Sequence, residues 1–173
     1  MSDGDAVLRA IRTRRSVGKV SQEPLPRHVV EELIEAAGSA PNHRLTAPWR
    51  FIVLTGDARG EVWERLERAP VVVACVVHPG DDPVEAREDR DAVAASIENM
   101  LLAAHARGLG AMWRTGAAAD DPEVLAGLGL EEREAVVGFV YIGRLLAPPP
   151  EQGPPRRPVS ELTTWRGWPT TRG

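Results

Sequence analysis

The chain has 173 residues, a formal net charge of −4, 43% hydrophobic and 27% charged residues, and a single cysteine. That length suits one domain of roughly 100–200 residues with a sizeable core, and the composition excludes a wholly disordered or fibrous chain. The longest apolar run, VVVACVV at 71–77, is far short of the ~18 residues of a membrane span; the lone Cys75 excludes an internal disulfide, and the acidic total argues against a nucleic-acid partner.

The opening MSDGDAVLRA carries acidic residues where a secretory signal needs basic and then apolar ones, so a cytoplasmic setting is expected. Val7, Leu8 and Ile11 fall at helical spacing and predict a short helix over 5–13. Immediately after it comes RTRRS, residues 12–16. Three arginines in five positions beside two hydroxyls suit an anion such as a phosphate, or equally a solvated helix end. The next helix is predicted from Pro26 at its first position, with Val29, Leu33 and Ala36 on one face and Gly38 and Pro41 ending it.

Trp49–Leu54 reads as a strand, Asp57 as the cap of a helix reaching about Glu67, and 71–77 as a strand covered on both faces. A long central helix is predicted from about Glu85 to Arg107, with Ile97, Met100, Leu101 and Ala104 on its core face and Gly108 as a left-handed cap. GAMWRTG is a short strand. DDPEVLAGLGL is a helix capped by Asp121 with Pro122 at its first position, and EAVVGFVYIG is a last apolar strand. Helices alternating with central strands predict a layered α/β arrangement. The tail that follows is rich in proline and then in tryptophan. Trp165 and Trp168 are costly to leave in water, so the tail is expected to pack on something, such as another subunit.

Catalytic signatures are missing. The sequence has no phosphate-loop motif and no nucleophile elbow, its four histidines show no zinc-site spacing, and Gly108 and Gly110 follow a helix rather than a strand, the wrong setting for a dinucleotide fingerprint. A chain without its own acid–base machinery is expected to borrow a cofactor's chemistry. Besides the arginine cluster, the loop SAPNHRLTAPWRF stands out for its length and its donors Asn42, His43 and Arg44.

In order, IRTRRSV, AAGSAPNHRLTAPWRFIVL, SIENMLLAAHARGLGAMWRTG, VVGFVYIG and PPRRPVSELTTWRGW resemble the FMN-dependent nitroreductase family, most of all its compact YdjA-type branch. The resemblance runs from about Leu8 to Trp168. It implies an α+β fold, a three-layer α-β-α sandwich in an interlocked homodimer. FMN would lie at the subunit interface, with the tail from about residue 147 on the partner. It implies that Arg14, Arg15 and Ser16 hold the phosphate and the polar edge of the flavin. Ser39 and His43 would reach the partner's FMN, Trp113, Arg114 and Thr115 would line the flavin, also across the interface, and Arg156 or Arg157 would help bind phosphate. Residues 103–108 match a segment for the nicotinamide nucleotide. The implied activity is NADH- or NADPH-driven reduction of an electron-poor small molecule (nitroaromatic, quinone or enone). The alternatives are a flavin-binding module without turnover and a specialised-metabolite reductase or oxidase on the same fold. Two positions depart from the family pattern: Gly18 stands where a second cation is common, and Ser39 where close relatives often have arginine.

Overall fold

The computed structural model describes residues 3–149 and 155–167. The proline-rich stretch around residue 150 and Trp168 lie outside them. Ten regular elements are used below: α1 (Asp3–Thr13), α2 (Arg27–Gly38), β1 (Trp49–Thr55), α3 (Ala58–Val62), β2 (Val71–Val77), α4 (Pro83–Ala106), β3 (Leu109–Arg114), α5 (Pro122–Gly127), β4 (Ala135–Arg144) and α6 (Val159–Leu162). Short 3₁₀ turns cover His43–Leu45, Glu64–Arg68 and Ala117–Ala119.

The strands form one sheet in the order β1-β2-β4-β3, and every ladder is antiparallel. The fold is therefore α+β, as the resemblance implies, and not an α/β fold built on parallel crossovers. The two central strands carry the reason. β2 is buried at every residue and β4 at every residue between its ends, so both faces of the sheet must be covered. Val71, Val73, Cys75, Val140 and Ile142 face α2 and α4. Val72, Ala74, Val76, Phe139 and Tyr141 face Leu66, Val124 and Leu128 on the opposite side. Cys75 sits in this core, where burial pushes its thiol up to about 12, so it stays protonated and inert.

α4 begins at Asp82, whose carboxylate accepts from the backbone N–H groups of Val84 and Glu85. It ends at Gly108 with φ +69, a backbone conformation that glycine takes without a Cβ penalty. Gly110 and Gly143 face each other across β3 and β4, and a Cβ on either would fall 2.7 Å from a Val20 methyl. This slot lets the segment after α1 lie against the outer edge of β3. Ser16 bridges Ala111 there, and the Val17 N–H donates to the Ala111 carbonyl at 2.9 Å.

Three local expectations need correction. Pro26 is the cap before α2 rather than its first residue, and the fully buried residues are Val30, Leu33 and Ala37: Leu33 is buried as predicted, while Val29 and Ala36 are only partly buried. Asp57 does not cap α3 with its side chain. That helix stops at Val62 because Trp63 is extended (φ −169, ψ 128), and a 3₁₀ turn follows instead of a helix running to Glu67. α1 forms as expected, yet none of its residues is buried: Val7, Leu8 and Ile11 are about half exposed.

Candidate functional site

The segment from Arg14 to Lys19 leaves α1 and runs along β3 beside a cavity of about 650 Å³. Ser16, Gly18, Lys19, Arg68, Met112 and Arg114 line it. A smaller cavity of about 160 Å³ adjoins through Arg68 and Arg114 and adds Arg65, Thr115 and Tyr141. Among the described residues, Lys19, Arg65, Arg68 and Arg114 have no carboxylate within ion-pair reach, whereas eight arginines elsewhere do. In a chain of net charge −4, four uncompensated cations around one concavity raise the local potential and favour an anionic or electron-rich ligand.

Packing aims these cations. The Arg114 guanidinium lies 5.4 Å from the centre of the Tyr141 ring, and Arg65 lies 5.2 Å from that of Trp63. Burial pushes the Tyr141 phenol above its ordinary range against the pull of Arg114 and Arg68, so the ring is a neutral platform at physiological pH. Gly18 is not in the left-handed region. A Cβ there would sit 3.1 Å from Met112 Sδ and 3.7 Å from an Arg114 nitrogen. The place where the sequence lacks a cation is therefore next to one supplied by β3. Arg68 and Met112 were not singled out in the sequence. Arg68 sits in a turn whose alternating Glu and Arg read as a solvated surface, and only the fold turns it toward Ser16.

The other predicted residues divide. Arg14 Nε donates to Glu98 Oε1 on α4 at 3.0 Å. Arg15 Nη1 donates to the carbonyls of Arg12 and Arg14, both at 2.8 Å, closing the end of α1. Arg15 Nε is buried with no partner among the described residues, as is Trp113 Nε1. Trp113 packs on the α2–α4 side of the sheet while Arg114 packs over Tyr141, so the two neighbours serve opposite faces. Arg156 and Arg157 are exposed, and Arg157 pairs with Glu161 at 3.5 Å.

Ser39 and His43 lie elsewhere. Ser39 ends α2 and donates to the Glu35 carbonyl. His43 Nδ1 is 3.7 Å from Glu88 Oε2, while Arg14 meets α4 ten residues later, about 15 Å along the axis. The His43 loop has unusual backbone geometry: Arg44, Leu45 and Ala47 have φ of 51, 57 and 49. Each costs on the order of 1 kcal/mol in a non-glycine residue, and such strain persists only where surrounding contacts over-determine it. Here the Ala47 N–H donates to Asn42 Oδ1 at 2.9 Å, Arg44 donates to Glu85 at 3.0 Å, and Pro48 accepts from the His78 N–H at 2.8 Å. The chain thus holds two separate sets of predicted residues, one basic and open, the other a strained loop, and Arg114 lies with Ser16 in the first set rather than across an interface from it as the resemblance implies.

The model of the nitroreductase family matches residues 11–71 and 62–144. The chain belongs to the nitroreductase family. Among curated nitroreductase relatives, YfhC of Bacillus subtilis, named as an NAD(P)H nitroreductase, is 33% identical over 164 residues, covering 80% of this chain and 84% of that protein. YdjA of Escherichia coli K12, named likewise, is 26% identical and covers 79% and 86%. The nitroreductase-like protein of Bacillus cereus superposes with a TM-score of 0.87 over 97% of this chain and 100% of that one, at 24% identity, which supports the fold. A Desulfovibrio desulfuricans nitroreductase solved in complex with FMN superposes with a TM-score of 0.79 at 28% identity, over 94% and 98% of the two chains.

Proposed function

We propose that this nitroreductase-family chain is an FMN-dependent oxidoreductase that draws on NADH or NADPH to reduce an electron-poor small molecule, such as a nitroaromatic, quinone or enone. The observation that carries the reading is the basic cavity at Ser16, together with membership in a family whose relatives are named as NAD(P)H nitroreductases and include an FMN complex.

The residues fit the cofactor. Arg14 and Ser16 offer a fork and a hydroxyl to a phosphate, and the buried, unpartnered Arg15 Nε is a donor still to be satisfied. Lys19, Arg68 and Arg114 offer positive charge to the electron-rich edge of a flavin, and Gly18 leaves room for a ring to approach. When bound, FMN supplies the hydride-accepting and hydride-donating chemistry. The side chains hold it, set its electrostatics and exclude water, and no side-chain nucleophile is required. Donor and acceptor take turns in one pocket, which gives ping-pong kinetics with parallel initial-rate lines.

We also read the working unit as a homodimer with FMN between the subunits. The separation of the two sets of predicted residues within one protomer supports this. So do the exposed apolar side chains on α1 and at Leu146, Val159, Leu162 and Trp165. Ser39 and His43 of one copy then complete the cavity of the other, and Arg156 or Arg157 approaches from the tail. The test is a visible spectrum of the purified full-length chain. A yellow protein that bleaches with NADH or NADPH and recovers on adding a nitroaromatic or quinone supports the reading. Colour that does not bleach points to a binding module without turnover, and a colourless chain that takes up no FMN contradicts the proposal.

A further inference from the structure

Asp89 is a charged side chain drawn into the protein interior, 5% exposed, on the first half of α4. Among the described residues no cation pairs with it. An unpaired buried carboxylate is retained only where hydrogen bonds compensate its lost hydration. Two donors do so here. The Gly80 N–H, between β2 and α4, donates to Oδ2 at 2.8 Å, and the Thr46 hydroxyl reaches Oδ1 at 3.3 Å. Thr46 has one hydroxyl proton and a second acceptor in range, the His43 carbonyl at 3.2 Å. The charged carboxylate is the stronger acceptor of the two.

The position of Thr46 gives this contact its meaning. It stands between Leu45 and Ala47, two of the three non-glycine residues with positive φ, and three residues after His43. Its own backbone is right-handed (φ −68, ψ −21), and its N–H donates to the His43 carbonyl at 3.3 Å. Away from α4, the Ala47 N–H donating to Asn42 Oδ1 and the His78 N–H donating to the Pro48 carbonyl also hold this run. The remaining ties of the loop to α4, Arg44 to Glu85 and His43 to Glu88, join exposed side chains and hold it weakly. The tie through Asp89 is the one of the three whose carboxylate is buried.

We propose that Asp89 and Thr46 form a clamp that keeps the loop from Asn42 to Ala47 in its strained shape, and that this shape presents His43 to the flavin of the partner subunit. Asp89 is thus a positioning residue. The inference rests on the shared-site reading above, and it adds a residue that touches neither cofactor nor substrate. Pre-forming the loop removes an ordering cost that FMN binding would otherwise meet, so the clamp raises cofactor affinity without a contact.

The experiment uses the full-length chain with three substitutions. Thr46→Val removes the hydroxyl at nearly constant volume, Thr46→Ser keeps it, and Asp89→Asn removes the charge. FMN affinity is measured by fluorescence, the Ala47 and Gly80 amides are followed by hydrogen exchange, and Tm is recorded. Thr46→Val and Asp89→Asn are expected to weaken FMN binding at least tenfold and to speed exchange at Ala47, while amides of β2 and β4 keep their protection. Thr46→Ser should stay within about twofold of the parent. Unchanged affinity and unchanged Ala47 exchange in Thr46→Val overturn the proposal. So does an affinity loss in Thr46→Ser equal to that in Thr46→Val, or a loss that merely follows a fall in Tm with all amides exchanging faster. If the parent chain binds no FMN, the shared-site reading fails by itself, and Ala47 exchange still decides whether the clamp exists.

Discussion

The two ends of α4 solve different problems. Near Glu98 and His105, the backbone beside β3 is relaxed and the side chains are cationic; Lys19, Arg68 and Arg114 have no acidic partners among the described residues. Near Glu85, Glu88 and Asp89, the facing loop is strained, and its cations and hydroxyl are tied to acids. One region is specified by charge and left unsatisfied; the other is specified by shape and largely satisfied. A basic surface with spare donors favours an anionic ligand, and a strained, tethered loop is held by the contacts around it; in the proposed shared site the two would meet across subunits. About 15 Å of helix separates the Glu88 and Glu98 contacts in one chain.

The comparison breaks most severely if the two ends never meet across subunits. Leu8→Glu combined with Ile11→Glu places charges on the exposed apolar face of α1. Burying such side chains is worth about 1.5–3 kcal/mol each, so losing both should dissociate the proposed dimer and release FMN together. Sedimentation with absorbance detection checks this, and a folded monomer that keeps its FMN would separate the two ends for good.

The next effect belongs to the basic end alone. Arg14→Ala should weaken FMN by about 2–4 kcal/mol, roughly 30- to 1,000-fold, because a phosphate loses charge-assisted hydrogen bonds in a partly desolvated site. Riboflavin, which lacks the phosphate, should bind parent and variant about equally in a fluorescence titration. Equal losses for both ligands would make Arg14 a strut for Glu98 rather than a phosphate ligand.

A smaller effect sharpens the charge argument. Arg68→Gln removes one cation from the cavity wall, worth about 1 kcal/mol at partly exposed range, and should lower the two-electron flavin potential by roughly 20 mV. Gly18→Lys should raise it by less than that, because Arg114 already stands 3.7 Å from the new Cβ and Met112 resists it. Dye-coupled redox titration measures both, and a full-sized rise in Gly18→Lys would show that Arg114 does not compensate.

The smallest effect concerns His105, whose ring nitrogen lies 2.9 Å from the Thr13 hydroxyl. The Thr13 hydroxyl donates to the Arg9 carbonyl at 2.8 Å, so the ring must donate through Nε2. Partial burial, then Arg14, then Arg15 lower its pKa below the ordinary 6.5. The unfolded chain therefore binds the extra proton first, and stability that is complete above about pH 6.5 declines as the pH falls through the window below it. Thermal melts of parent and His105→Gln at pH 5 and pH 7 should show a slightly smaller pH dependence in the variant.

The sequence displayed the two ends unequally. Arg14 to Ser16 and the loop around His43 could be picked out because donor-rich clusters are local, and the buried runs of β2 and β4 announced a sheet covered on both faces. Arg68 and Asp89 were invisible for a shared reason. Each lies among similar charges, in ERLER and EDRDA, where charge reads as surface, and only long-range packing turns one toward Ser16 and the other toward Thr46. The antiparallel order was hidden because β4 inserts between β2 and β3, a pairing no local pattern encodes. On α2, Val29 was read as buried in place of Val30 because the two are chemically alike.

The most direct test of the shared site is complementation between subunits. Arg114→Glu damages only the basic end, and His43→Glu only the loop. Homodimers of each should purify pale. When the two are co-expressed with different tags and the heterodimer is isolated, one of its cavities combines an intact Arg114 from one copy with an intact His43 from the other. The account predicts about one FMN per heterodimer, with that flavin reducible by NADH or NADPH. A heterodimer as pale as its parents would mean that each site is built within a single chain, and would contradict the account.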